Sequence, residues 1–455
     1  MKNKLHRLGG VSDACPDLSR KSESIFNADS SRKSESSRKT ESTSKTDSFR
    51  DPRAEVGYPQ AEYDRARVVL MHEPQEELSL GTLHPDAALF KGYLAPAKAQ
   101  QEHRDYQQIL RDLGLEVRTV RSILLEGCTD RENHWVECEA TRALRQMALG
   151  SIRFSSREIS REEVERYRLD LINQYTPNDL MRILFLRPEV RFRRTAINTG
   201  VVAEYIMRPL MNLFFMRDQM ITTARGAVIC KMNSPQRKYE CDLVEFCLRK
   251  LGHRAIHRIT GRDAFLEGGD YLPFRDFAMI NCGLRTTQPA IDQLLKYDLL
   301  GKNELVVVRD RLKSQVQMHL DSYCNVIDED LMTLCTNRYT AKRGSQDFLS
   351  VEIYRRESPA EPYRSVARDV AFLDFLKERG IEVLPISPED EETFANNYLC
   401  IKGREIVMVK GQSPELIRAL EARGVKIHFA ELTNLTYGYG AAHCMTQVIG
   451  RSIRE

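Results

Sequence analysis

Cys444, in the segment Gly438–Met445 (GYGAAHCM), follows three acidic segments in the chain: FMRD (Phe215–Asp218), LEGGD (Leu266–Asp270) and MHLD (Met318–Asp321). If these pieces complete one active site, the fold must bring Asp218, Glu267, His319, Asp321 and Cys444 together from distant points of the chain. A thiol, an imidazole and several carboxylates in one place suit covalent attack on a cationic carbon centre. The expected target is a guanidinium.

A guanidinium carbon is a poor electrophile, because resonance spreads its charge over three nitrogens. A thiolate supplies the strong nucleophile it needs. Carboxylates fix the planar cation through charge-assisted hydrogen bonds, each contributing roughly 1.5–3 kcal/mol; Asp218 and Asp321 are the candidates. The leaving nitrogen must gain a proton and the incoming water must lose one, so one group of intermediate pKa serves both steps. His319 is that group, with Glu267 placed to orient the imidazole and hold it protonated. A nearby cation then favours thiolate at Cys444.

The four segments, in this order, resemble the arginine deiminases of the guanidine-modifying, or pentein, superfamily. MNSPQRKYE (Met232–Glu240) is similar to the segment that supplies a substrate-carboxylate arginine, here Arg237, and GLRTT places Arg285 where the family has another. The resemblance also puts Asp270 among the substrate-binding residues. VVLMHEP and EHRDYQQILRDLGLEV resemble the family's first strand and helix, so the likeness spans about residues 55 to 451. It implies a pentein-type α/β propeller of pseudo-fivefold ββαβ units with a helical insertion, a small-molecule guanidino substrate, no cofactor or metal, and a homo-oligomer. Before its Cys the family reads like GRGGGHC, with an arginine on the substrate carboxylate; this chain has Tyr439 there.

Composition is that of a globular chain, with 42% hydrophobic residues among 455. With 68 basic against 65 acidic residues, no strong field for nucleic acid or an anionic membrane is implied. The 11 Cys show neither CxxC pairs nor the spacing of a secreted scaffold, which points to a reducing, cytoplasmic setting. No stretch is long and apolar enough to span a bilayer. HRAIH (His253–His257) could place two imidazoles on one helix face, but HExxH is absent and no zinc spacing lies nearby. His443 beside Cys444 is unsuited as a second ligand if that segment is extended.

Residues 1 to 54 differ from the rest, with SRKSES at Ser19–Ser24 and Ser31–Ser36 and SRKTES at Ser37–Ser42. Such a stretch buries too little to offset its ordering entropy, so a disordered tail is expected before a catalytic domain at 55–455. Residues 122 to 211 read as predominantly helical, the family's insertion. Beyond them strand and helix alternate, with Tyr239–Leu251, Gln288–Leu295, Val366–Arg379 and Pro414–Arg423 as helices. Leu213–Met216 reads as a strand that delivers Asp218. The activity expected is hydrolysis of L-arginine to L-citrulline and ammonia. Another guanidino conversion (a different small guanidine, amidino transfer, or hydrolysis to ornithine) and a non-catalytic guanidine-binding protein are the alternatives.

Overall fold

A computed structural model describes residues 57 to 452 except 131, 133, 157, 158 and 198. The tail expected at residues 1 to 54 lies outside the described residues. The described part builds five ββαβ units, each with an antiparallel strand pair, a helix, and a third strand parallel to one of the pair. The first runs Met220–Thr223, Gly226–Ile229, helix Glu240–Lys250 and Ala255–Arg258. The next is Tyr271–Pro273, Ala278–Cys282, helix Gln288–Lys296 and Glu304–Arg309. The third is Cys324–Asp328, Leu331–Cys335, helix Phe372–Glu378 and Glu382–Ile386. The fourth is Leu399–Lys402, Glu405–Val409, helix Pro414–Glu421 and Lys426–Ala430.

Both ends of the described chain contribute to the fifth. Strand Gln447–Ser452 pairs antiparallel with Arg65–Met71, which pairs in parallel with Glu116–Thr119 after helix Pro96–Asp112. That helix starts at Pro96, whose missing N–H is harmless in the first turn, and stops where Gly114 adopts φ +84°. Ala99, His103, Tyr106, Gln107 and Leu110 share its buried face. The same logic seats the helix of the second unit: Ala290, Ile291 and Leu294 pack on Ala278, Ile280, Leu305 and Val307. Burying each large aliphatic side chain is worth about 1.5–3 kcal/mol, which explains why the central strands are continuous apolar runs rather than alternating ones.

Several local expectations need correction. Segment Val366–Ala371 is strand, part of Arg364–Ala371, and only Phe372–Glu378 is helix. The strand pairs with Ser350–Arg355, and this hairpin extends the sheet at Glu304–Arg309; tertiary pairing overrides a helix-compatible local pattern. Between 122 and 211 the helices Glu139–Ser151, Arg161–Ile172 and Pro177–Leu186 are joined by a three-stranded sheet of Arg153–Ser156, Glu189–Arg194 and Val201–Ile206. Val190-Arg-Phe-Arg carries the period-two alternation of a half-exposed strand. Leu213–Met216 is turn, not strand: Leu213 N–H donates to the Leu210 carbonyl and Phe215 N–H to that of Asn212. HRAIH lies on and before strand Ala255–Arg258, with His257 against Gln293 and His253 against Tyr58.

Arg451 on the closing strand is fully buried and donates to Glu62 (2.7 Å) and to the carbonyls of Asp64 (2.6 Å) and Cys400 (3.0 Å). It ties that strand to the fourth unit and to the segment before Arg65. Arg451→Met would leave Glu62 short of its strongest partner, and removing one member of a buried pair costs about 3–5 kcal/mol. The urea midpoint should fall accordingly; an unchanged midpoint would show that the closing strand is held without this pair.

Candidate active site

Cys444 sits in a turn of residues 442 to 445 immediately before the closing strand, with Met445 N–H on the Ala441 carbonyl and Thr446 N–H on that of His443. The extended geometry expected for His443 and Cys444 is therefore replaced by a turn. Asn397 is its organiser. Its Oδ1 accepts from the N–H groups of Ala441 (2.9 Å) and Cys444 (3.0 Å), while its Nδ2 donates to the Cys444 Sγ (3.0 Å) and the Asp321 carbonyl (3.1 Å). Tyr106 Oη donates to the Ala442 carbonyl, and Arg217 N–H to that of Cys444. Gly440 admits no side chain, since a Cβ would stand 2.6 Å from the Phe215 ring and 2.9 Å from the Cys444 Cβ.

The acidic segments meet around this thiol. His319 Nε2 donates to Glu267 Oε2 at 2.8 Å, its Nδ1 is 3.6 Å from Asp218 Oδ1, and all three side chains are buried. Burial opposes a charge on His319, but Asp218, Glu267 and Asp270 outweigh it and push the imidazole up to about 10. Glu267 is held low despite burial, chiefly by its bond to His319. Asp321 Oδ2 accepts from His443 Nδ1 at 2.6 Å and lies 3.6 Å from the Cys444 Sγ, while its buried Oδ1 has no hydrogen-bond partner among the described residues. Burial, then the charges of Asp321 and Asp218, raise the Cys444 thiol well above its ordinary value. The neutral thiol form of Cys444 is therefore favoured.

The Gly-Gly of LEGGD is a packing requirement, not only a turn. A Cβ on Gly268 would lie 2.0 Å from the Arg217 carbonyl oxygen, and one on Gly269 would meet the His319 ring at 2.8 Å. Without these contacts Asp218 and His319 could not flank the same strand end.

The two arginines differ. Arg285 Nη2 donates to Gln315 (3.0 Å) and its buried Nε has no partner among the described residues, so it keeps donors for a ligand. Arg237 is already committed, to Asp218 Oδ2 (2.8 Å), to Glu240 Oε2 (3.0 Å) and weakly to the Asn212 carbonyl. Asp270 stands behind the site: its oxygens accept from Asn281, Thr286 and the Leu320 N–H, fixing the MHLD segment to LEGGD. Burial raises it to about 7. Arg237, Arg285, Asp218, His319, Tyr439 and Cys444 line one small pocket of about 20 Å³. Leu89 and Tyr439, both lining it, hold positive φ (63° and 67°).

Asn397, Glu240, Glu62 and His443 complete the site and were not recognisable as functional from their local sequence. Glu240 carried one signal, its i+3 spacing from Arg237; the others depend on contacts distant in sequence. Asp218, Glu267 and His319 also bring three ligand-type atoms within 4.8 Å of one another. A protonated His319 is a poor metal ligand, and Glu267 is already its partner.

Five ββαβ units around a buried thiol, imidazole and carboxylates define the pentein fold. The chain superposes on the N-terminal domain of ArgZ, an arginine dihydrolase from the ornithine–ammonia cycle in cyanobacteria, with a TM-score of 0.51, 13% identity, and coverage of 85% of this chain and 99% of that one. An arginine deiminase family model matches residues 86–451, and the chain belongs to that family. It is 24% identical to the arginine deiminase of Halobacterium salinarum, covering 86% of this chain and 96% of that protein. It is 26% identical to that of Mycobacterium avium, covering 86% and 97%.

Asn397→Asp keeps the acceptor for the Ala441 and Cys444 amides but exchanges the donor to sulfur for a negative charge. Turnover should fall at least about a hundredfold, as when a single preorganised donor is lost, with much less change in KM. Equal changes in both would assign Asn397 a purely structural role.

Proposed function

We propose that the protein hydrolyses L-arginine to L-citrulline and ammonia through a covalent adduct on Cys444. The observation that carries this reading is the convergence of Cys444, Asp321, Asp218 and the His319–Glu267 pair from four sequence segments onto one buried point. The substrate guanidinium would sit between Asp218 and Asp321, taking the unpartnered Asp321 Oδ1, and Arg285 would receive the substrate carboxylate. Arg237 would give up its pairing with Asp218 as the guanidinium takes that place.

Burial holds the thiol up first, then Asp321 and Asp218; a bound cation offsets those two charges and so favours release of the Cys444 proton as substrate binds. The thiolate adds to the guanidinium carbon. Protonated His319 gives its proton to the leaving nitrogen, which departs as ammonia and leaves a thiouronium on sulfur. Neutral His319 then takes a proton from water as the hydroxyl adds. Collapse expels the thiolate and forms the ureido carbonyl, and the remaining hydroxyl proton leaves with ammonia as ammonium. Glu267 keeps the imidazole oriented through both transfers.

The test is product analysis. Purified protein incubated with arginine should give equimolar citrulline and ammonia, and acid quench should trap a mass increase on the peptide containing Cys444. Cys444→Ala should abolish both signals while leaving the fold intact; ordinary turnover in that variant would remove the covalent mechanism.

A second reading, a guanidino substrate other than free arginine, is favoured by Tyr439 at the pocket wall and by the pairing of Arg237 with Asp218. Both leave fewer cations for a substrate carboxylate. On the arginine reading, Tyr439→Arg should lower KM for arginine about tenfold, the equivalent of about 1.4 kcal/mol, and change agmatine turnover little. Wild-type preference for agmatine, or no gain for arginine in the variant, would favour the second reading.

A further inference from the structure

A second cavity, of about 350 Å³, lies away from the thiol, between the insertion and the start of helix Glu240–Lys250. Arg153, Arg168, Arg187 and Arg208 line it together with Tyr239, against one lining carboxylate, Glu165. Its size is that of a small-ligand pocket. The four guanidinium groups are not equally neutralised. Arg208 pairs with Glu189 (2.5 Å) and Arg168 with Glu165 (3.0 Å). Arg187 has no carboxylate partner among the described residues; it donates to Ser151 Oγ (3.0 Å) and stacks 3.9 Å over the Tyr239 ring, whose neighbour Lys238 adds another cation at 4.6 Å. Arg153 is exposed and likewise lacks an ion pair among the described residues, and the buried Nε of Arg168 has no partner. Burial lowers the pKa of Arg187 against the raising charges of Tyr239 and Asp242, with the like charge of Arg208 adding least.

Arg187 is also held in place. It occupies the left-handed region (φ 46°) as the residue that ends helix Pro177–Leu186, so its guanidinium is presented by a fixed backbone and a stacked ring rather than by a free surface chain. Planar forks fixed in this way match the oxygens of phosphate and carboxylate bidentately. A concave wall with an excess of one charge sign, here four arginines against Glu165, concentrates the opposite ion.

We infer that this cavity is a binding site for a small polyanion bearing phosphate or carboxylate groups, separate from the guanidine pocket. Phosphate and carboxylate share the recognising chemistry and are separated by the choice of probe. Isothermal titration of the full chain in low-salt buffer with pyrophosphate, and separately with citrate, should give saturable one-site binding of at least one of them. Arg187→Gln should weaken it about tenfold or more, the loss of about one charge-assisted contact. Arg153→Glu, at an exposed position where folding is not at stake, should weaken it as much, whereas Arg285→Gln should leave it unchanged. Circular dichroism identifies any variant that fails to fold, in which case the Arg153→Glu result decides. No saturable binding of either probe, undiminished binding in Arg153→Glu, or loss of binding in Arg285→Gln would overturn the assignment.

Discussion

A continuous line of buried polar contacts runs from the closing strand to Cys444: Arg451 on Glu62, Glu62 facing His443 at 3.4 Å, His443 on Asp321, and Asp321 beside Cys444. Each member is buried, where an unpartnered polar group is penalised, so each fixes the next. The carboxylate next to the thiol is thus oriented by the pairing of the two chain-end strands. The geometry of the candidate site and the closure of the fold rest on the same contacts.

Around that line the site follows a division of labour set by local packing. The Asn397 side chain shapes the thiol turn, the Gly268–Gly269 pair lets two loops touch at backbone distance, and Asp270 anchors the MHLD segment from behind. Asp218 acts on both titratable groups: with Glu267 and Asp270 it holds His319 up, and after burial and Asp321 it helps to raise the Cys444 thiol.

What the sequence made legible was the chemistry carried by short motifs and the elements with a clear period. Asp218, Glu267, His319 and Cys444 stand in compact signatures and gather at one pocket or beside it. Helix Pro96–Asp112 announces itself through Pro96, its buried face and Gly114. The turn at Leu213–Met216 was hidden because buried turns and buried strands are equally apolar. Strand Arg364–Ala371 was hidden because its partner, Ser350–Arg355, determines its form. Asn397 and Glu62 carried no local mark, since their roles exist only through contacts with residues 441, 444 and 451. Arg237 illustrates the reverse: its position was legible, but its partner, Asp218, was not.

The fifth ββαβ unit is assembled from strands at opposite ends of the described chain, with Cys444 just before the last of them. Without Gln447–Ser452 the strand at Arg65–Met71 would have one edge open. A chain cut before residue 444 would therefore keep the carboxylates and the imidazole but lose both the thiol and the strand that fills that edge.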